Sequence, residues 1–174
     1  MKDSSTQSSV LALPQGAFNS KEQSAEWRET MADFPSGVTI VTAMENGRPL
    51  GSTVSAFCSL SLRPRLLLVC MDLRSHTLAA INKSHAFAVN ILSDRAQSLA
   101  LKFGAKDGDK FSDVDYEIGD MGCPLLTDCC VNIECRLGAS YIEGDHAILT
   151  GQPERIVREP TRSPLVYHRG AFRA

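Results

Sequence analysis

Apolar and polar residues alternate over short segments along most of the chain, a pattern typical of β-strands joined by tight turns. Asn46-Gly47 and Gly144-Asp145 favour hairpin turns, and Pro64 marks a further turn. The segments between these signals predict strands over residues 38–44, 50–57, 66–72, 85–92, 129–144 and 146–159. Since no internal repeat and no linker interrupts the pattern, we expect one domain.

Apolar residues at helical spacing predict short helices between the strands. In the first, which starts at Lys21, Trp27, Met31 and Phe34 form an apolar stripe that we expect to pack on the core. Two more helices are predicted, over residues 75–84 with Ser75 as the N-cap and over residues 94–105 ended by Gly104. Short strands with a few helices outside them favour a mainly β fold with peripheral helices, a closed or partly closed barrel.

The N-terminal segment, the overall charge and the lengths of the apolar runs indicate the domain bounds, the location and the classes of partner. Residues 1–20 are rich in Ser and Gln and predict a flexible tail, so the domain is expected over residues 21–174. The net charge of −2 gives no electrostatic support for a nucleic-acid partner. No apolar run is long enough to cross a membrane, and the N-terminus lacks the apolar stretch of a signal peptide. We therefore predict a cytoplasmic protein with no membrane or nucleic-acid partner.

Six cysteines and four histidines raise the possibility of a metal site or disulfides. None of the cysteines forms a CxxC pair, and the histidines are scattered, whereas zinc ligands usually come in closely spaced pairs. We expect no metal, and reduced, mostly buried thiols. The chain also lacks the GxGxxG and GxxxxGK[ST] loops, which excludes the nucleotide-binding folds built on them.

The segment GSTVSAFCSLS, residues 51–61, places several serines and a threonine beside apolar residues. These hydroxyl groups either satisfy the backbone of an ordinary turn or meet a polar ligand. Ser75 and Thr77 lie at a predicted helix start, where free N–H groups favour a phosphate, and Lys102 could add a positive charge. From the residues alone, the chain is a barrel with a possible pocket for a phosphate-bearing ligand.

Eight segments in order resemble the flavin reductase family, the short reductases of two-component monooxygenases. They are FPSGVTIVTA, GSTVSAFCSLSLRPRLLLVCM, RSHTLAAI, FAVNIL, LALKF, GCPLL, GDHAILTGQPE and PLVYHRGAF. The resemblance as a whole runs over residues 27–172. The resemblance implies an FMN-binding split β-barrel that works as a homodimer. It also implies reduction of FMN or FAD by NADH or NADPH, and delivery of the reduced flavin to a monooxygenase component.

The resemblance also implies roles for individual residues. The strand containing Ser52, Thr53, Val54, Ser55 and Ala56 would lie along the flavin ring, and Cys58 and Ser59 would continue these contacts toward the ribityl chain. Ser75 and Thr77 would lie near the phosphate, and Lys102 and Phe103 would help to close the site. His146, in the family's Gly-Asp-His turn, would lie beside the nicotinamide as the catalytic or positioning residue. A flavin-dependent enzyme of another kind, or a non-catalytic flavin-binding module, remain the alternatives.

Overall fold

The computed structural model describes residues 20–173, and most of them belong to β-strands. The helices are α1 (Lys21–Ala32), α2 (His76–Ser84) and α3 (Gln97–Gly104). The strands are β1 (Ser36–Gly37), β2 (Thr39–Glu45), β3 (Arg48–Val54), β4 (Phe57–Leu62), β5 (Arg65–Asp72), β6 (Ala86–Leu92), β7 (Tyr116–Ile118), β8 (Pro124–Leu126), β9 (Cys129–Glu143), β10 (His146–Arg158), β11 (Val166–His168) and β12 (Ala171–Arg173).

Seven of the strands form one antiparallel sheet in the order β3-β2-β6-β9-β10-β5-β4. The two edge strands, β3 and β4, are consecutive in the chain, and only residues 55 and 56 separate them. The two edges of the sheet therefore meet at this connection, and the sheet must curl on itself to allow it. Because β3 and β4 do not pair, the barrel stays open along the rest of this seam. The expectation of a mainly β, split-barrel fold is confirmed.

Side chains that point into the barrel form the larger core. On β5, buried and half-buried residues alternate, so that Leu67, Val69 and Met71 face inward. Phe87 enters from β6 and fills the space above Gly151, where an added Cβ would lie 2.5 Å from the Phe87 ring. Helix α2 closes one end of the barrel with Leu78, Ala80 and Ile81, and these belong to the same cluster.

The turn and cap signals of the sequence correspond to local geometry. Asn46 and Gly47 both have positive φ, 51° and 77°, as a tight hairpin turn requires. Ser75 caps α2 by accepting a hydrogen bond from the Leu78 N–H at 3.4 Å. The turn between β9 and β10 falls at Gly144, which has φ of 60°. These predictions are confirmed.

Several predicted elements differ from the structure. The strand predicted over residues 50–57 is interrupted, because the chain turns at residues 55–56 and starts β4, which the sequence did not reveal. Helix α3 starts at Gln97 rather than residue 94. The small hairpin of β7 and β8 was also missed, since each strand has only three residues. Of the predicted tail, only Ser20 is described, and it caps α1; residues 1–19 lie outside the described residues.

The predicted packing of α1 on the core is wrong for the single chain. Trp27 is 65% exposed, Met31 46% and Phe34 71%, and no residue of the helix is buried. Asp33, directly after the helix, is tied to Arg169 by an ion pair at 2.5 Å. The capping box of Ser20 and Gln23 stabilises the helix locally. Within residues 20–173, no helix has the length and hydrophobicity needed to cross a membrane.

Candidate functional site

Three hydroxyl groups from two separate elements meet at the open edge of the barrel. The Ser52 Oγ on β3 lies 3.2 Å from the Ser75 Oγ and 3.0 Å from the Thr77 Oγ1. Ser75 is the N-cap of α2 and Thr77 lies in its first turn, where backbone N–H groups have no intrahelical backbone acceptor. We call Ser52, Ser75 and Thr77 the hydroxyl cluster. It offers hydrogen bonds beside the positive end of a helix dipole, a combination that suits an anion.

The hydroxyl cluster lines a pocket of about 450 Å³ between β3, the start of α2 and the segment after α3. Four cationic side chains line it as well, and among the lining residues Asp72 is the acidic one. These cations are Arg48, Arg74, Lys106 and Lys110. Positive charge therefore exceeds negative charge in the pocket, in contrast with the net charge of −2 for the chain.

Two of these cations are held by neighbouring groups. The Arg74 guanidinium donates to both carboxylate oxygens of Asp72, at 3.0 and 2.6 Å, which holds the pKa of Asp72 well below its ordinary value. The Lys110 ammonium donates to the Phe103 carbonyl at 2.9 Å and to the Gly51 carbonyl at 3.4 Å. Partial burial lowers the pKa of Lys110. Burial makes the charged ammonium less favourable, and a bound anion would offset this cost because it adds an opposite charge nearby.

The wall opposite the hydroxyl cluster depends on the contact between Phe103 and Gly51. Phe103 is buried, and an added Cβ on Gly51 would lie 2.6 Å from its ring. The Phe103 ring also meets Phe111 edge to face, with centroids 5.0 Å apart. On the same side of β3, the Thr53 hydroxyl donates to the Ala100 carbonyl at 2.7 Å and ties α3 to the strand. Glycine at position 51 is what allows the aromatic wall to approach the strand.

The remaining residues predicted along β3 and β4 lie outside this pocket. Val54 points into the core and is 8% exposed, so only its backbone could meet a ligand. Ser55 and Ala56 form the connection between the two barrel edges, and Cys58 and Ser59 follow on β4; all four are exposed. The structure thus separates the predicted residues into an enclosed group and an exposed group.

His146 is the first residue of β10 and lies directly opposite Asp72 on β5. Its side chain is 45% exposed, and its Nδ1 lies 2.7 Å from the Asp145 carboxylate. The hydrogen bond to His146 lowers the pKa of Asp145. Since Asp72 lines the pocket and His146 does not, His146 lies beside the pocket.

Lys102 is placed differently from the expectation. Its ammonium donates to the carbonyl and the hydroxyl of Ser112 and does not line the pocket. Lys110 and Arg48 line the pocket instead, and the sequence analysis missed both. Lys110 lies in a polar loop without periodicity, so no sequence signal marked it. Arg48 could have been suspected because it directly follows the Asn46-Gly47 turn on the strand that carries Ser52.

Most of the chain matches a known protein family. The model of the flavin reductase like domain matches residues 31–174. The chain belongs to the flavin reductase family. The family named from the sequence is therefore confirmed, and with it the assignment of the chain to the oxidoreductases. The matched region includes the hydroxyl cluster, the cations of the pocket and His146.

Three flavin reductase relatives illustrate the similarity. The reductase subunit HsaB of a flavin-dependent monooxygenase from Rhodococcus jostii is 35% identical over 84% of this chain and 75% of its own length. A flavin reductase (NADH) from Kitasatospora aureofaciens is 39% identical over 82% and 76%. The solved structure of an NADH:FAD oxidoreductase from Streptomyces globisporus, in complex with NAD and FAD fragments, has a TM-score of 0.84 at 30% identity, covering 91% of this chain and 96% of that one.

The cysteines of this flavin reductase are all free thiols. Burial raises the pKa of Cys123, Cys129 and Cys135 to about 12, so these thiols stay protonated at neutral pH. Protonated thiols are poor metal ligands. Throughout residues 20–173, no three His, Cys, Asp or Glu side chains come together as ligands for a metal ion.

Proposed function

We propose that this chain binds FMN or FAD and reduces it with NADH or NADPH, and that the reduced flavin passes to a partner flavin-dependent monooxygenase. The observation that carries the proposal is the hydroxyl cluster at the start of α2, inside a pocket with excess positive charge. Such a pocket fits the phosphate of a flavin nucleotide. The names of the similar proteins support NADH as the electron donor and a monooxygenase as the acceptor.

The enclosed group and the exposed group of site residues bind different parts of the flavin in this proposal. We call the pocket with the hydroxyl cluster and its cations the phosphate end. The exposed connection at Ser55 and Ala56, with Cys58, Ser59 and His146, is the ring end. The backbone of Ser55 and Ala56 bridges the barrel edges, where it can offer hydrogen bonds to the polar edge of the ring. The flavin supplies the chemistry of accepting a hydride; the protein aligns the nicotinamide with the ring and limits competing geometries.

His146 positions the nicotinamide in this proposal. Asp145 occupies its Nδ1, which leaves Nε2 as the nitrogen that can meet a ligand. The pairing of β10 with β5 places His146 next to Asp72 and so fixes it at the edge of the pocket. The half-exposed ring has room for a ligand on its open side. Because the hydride moves between the two cofactors, His146 needs no proton transfer to contribute.

A homodimer completes the ring end in this proposal. Several large apolar side chains are exposed around the barrel, among them Leu62, Tyr141 and Ile142. The stripe of Trp27, Met31 and Phe34 on α1 is exposed too, and a second copy of the chain would cover such surfaces. Light scattering on the purified protein tests this directly. A monomer that turns over at the full rate at every protein concentration would contradict it.

A cytoplasmic location also remains a prediction. All six cysteines are free, Cys58 is exposed, and Cys70 is half-buried. Exposed thiols persist where the surroundings are reducing. Fractionation of the source cells, followed by detection of the protein, tests the location. Recovery of the protein from a secreted or envelope fraction would contradict it.

The decisive experiment is to measure oxidation of NADH and of NADPH by the purified protein, with FMN and FAD each supplied. Steady turnover with a flavin is expected, and a purified flavin-dependent monooxygenase in the same assay should then oxidise its substrate. Ser52→Ala should raise the flavin KM, whereas Ser140→Ala, at an exposed position of β9, should behave as the wild type. Flavin binding without nicotinamide oxidation would instead support the non-catalytic flavin module.

A further inference from the structure

A second chamber adjoins the phosphate end. This chamber has a volume of about 600 Å³. It shares Arg48, Pro49, Gly108 and Phe111 with the first pocket, so the two adjoin each other. Its other lining residues are Asp109, Ser112 and Tyr116. The groove therefore extends past the hydroxyl cluster, in the direction away from the ring end, and offers more room than a single phosphate needs.

Arg48 marks the junction of the two chambers. It lies four residues before Ser52 on β3, which corresponds to about 13 Å at the usual rise of a strand. The terminal phosphate of a mononucleotide at the hydroxyl cluster would end short of Arg48. A diphosphate that starts there would continue along β3 toward Arg48, with Lys106 on the wall of the first pocket. The positions of the cations thus favour a ligand with more than one phosphate.

The second chamber has the groups that recognise a nucleoside. The rings of Phe111 and Tyr116 lie with centroids 5.1 Å apart and provide an aromatic wall for a base. The Asp109 Oδ1 accepts the Phe111 N–H at 3.1 Å, which leaves Oδ2 as an acceptor for ribose hydroxyls. Ser112 donates to the Asp109 carbonyl at 3.0 Å and accepts from Lys102, so the loop is held in shape. In this arrangement Lys102 positions the loop and does not contact the ligand.

We propose that the site prefers FAD over FMN, with the diphosphate between the hydroxyl cluster and Arg48 and the adenosine in the second chamber. This inference rests on the proposed function, because it takes the first pocket as a flavin site. It assigns Arg48 and Asp109 as specificity-determining residues. FMN would fill the first pocket and leave the second to solvent.

Equilibrium titration of the full chain with FAD and with FMN, without nicotinamide, tests the preference. FAD is expected to bind at least about tenfold more tightly, the gain of one additional charge-assisted contact. AMP, the part of FAD that FMN lacks, is expected to compete with FAD and to bind together with FMN. Equal affinity for the two flavins overturns the inference. Competition of AMP with NADH, but not with FAD, also overturns it, and assigns the second chamber to the nicotinamide nucleotide.

Variants separate the second chamber from a general effect of charge. Arg48→Ala is expected to lower the ratio of FAD to FMN affinity about tenfold, since it removes one charge-assisted contact. Arg158→Ala removes an equal charge at an exposed position outside both chambers and should leave the ratio unchanged. An unchanged ratio in Arg48→Ala contradicts the assignment. Tighter FAD binding without NADH or NADPH oxidation would refute only the proposed function, and oxidation with equal flavin affinities would refute only the FAD preference.

Discussion

The phosphate end and the ring end both take residues from the segment 51–61. They differ in how completely a single chain forms the site, because it encloses more of the phosphate end than of the ring end. At the phosphate end, Ser52 contacts Ser75 and Thr77 across two elements, and the aromatic wall of Phe103 encloses the pocket. At the ring end, Ser55 and Ser59 are exposed, and His146 is half exposed.

Under the proposed assignment, this difference follows from what the phosphate and the ring of a flavin each require. A phosphate needs hydrogen-bond donors and positive charge, and the N-terminus of a helix beside a strand edge provides both within one chain. A flat ring needs apolar cover on its faces, which the open seam of a single barrel does not supply. The two ends should therefore respond differently to substitution and to dilution, and the following changes test that expectation.

The largest effect is expected from Gly51→Val at the phosphate end. The added side chain would collide with the buried Phe103 ring, which lies 2.6 Å from the position of a new Cβ. Overpacking of this kind costs about 1–3 kcal/mol of stability, and displacement of the pocket wall should weaken flavin binding about 100-fold. Flavin titration and thermal unfolding measure the two effects. Gly37→Ala, where nothing lies within 4 Å, is the control and should be neutral.

His146→Ala should act at the ring end. If His146 positions the nicotinamide, its loss should slow flavin reduction or raise the NADH KM about 10- to 100-fold, less than the upper range of general acid–base catalysis. Flavin affinity should change little. Stopped-flow reduction of bound flavin separates the two parameters. His168→Ala, on β11, is the matched control; wild-type reduction rate and nicotinamide affinity in His146→Ala would show that the turn is only structural.

The double substitution Ser52→Ala and Thr77→Val removes two members of the hydroxyl cluster. Flavin should bind about tenfold more weakly, because hydrogen bonds to a charged phosphate are lost, while hydride transfer to bound flavin keeps its rate. Fluorescence titration measures the affinity, and single-turnover kinetics measure the rate. If the double variant transfers hydride more slowly but binds flavin with unchanged affinity, the hydroxyl cluster serves hydride transfer and not flavin binding, which contradicts the proposed roles.

The smallest effect is expected from Asp72→Asn, between the two ends. Arg74 lowers the pKa of Asp72, so the folded state favours the carboxylate form. The associated stability is present above the ordinary pKa of 3.8 and is lost as the pH falls through the lower value of the folded state. The wild type should therefore be slightly more stable than Asp72→Asn at neutral pH, and the difference should shrink in acid. Urea unfolding at several pH values measures it, and a difference that grows in acid would refute the sign.

The sequence by itself determined the longer strands, the turns and the family. Period-two alternation with Asn46-Gly47 and Gly144-Asp145 at the turns encodes local geometry, and such signals need no distant partner. The eight motifs, in their order, identified the flavin reductase family from the sequence alone. The N-cap at Ser75 also follows from local hydrogen bonding and was predicted correctly.

Only the tertiary structure decided which of these residues meet. The hydroxyl cluster joins positions 23 and 25 residues apart, and Lys110 reaches Gly51 across 59 residues. The break at residues 55–56 depends on the closure of the sheet, so a continuous strand pattern could not reveal it. Lys102 and Lys110 have the same chemistry and lie close together in the sequence, and the fold alone turns one toward Ser112 and the other into the pocket. Packing between distant elements sets these directions, and local patterns carry no information about it.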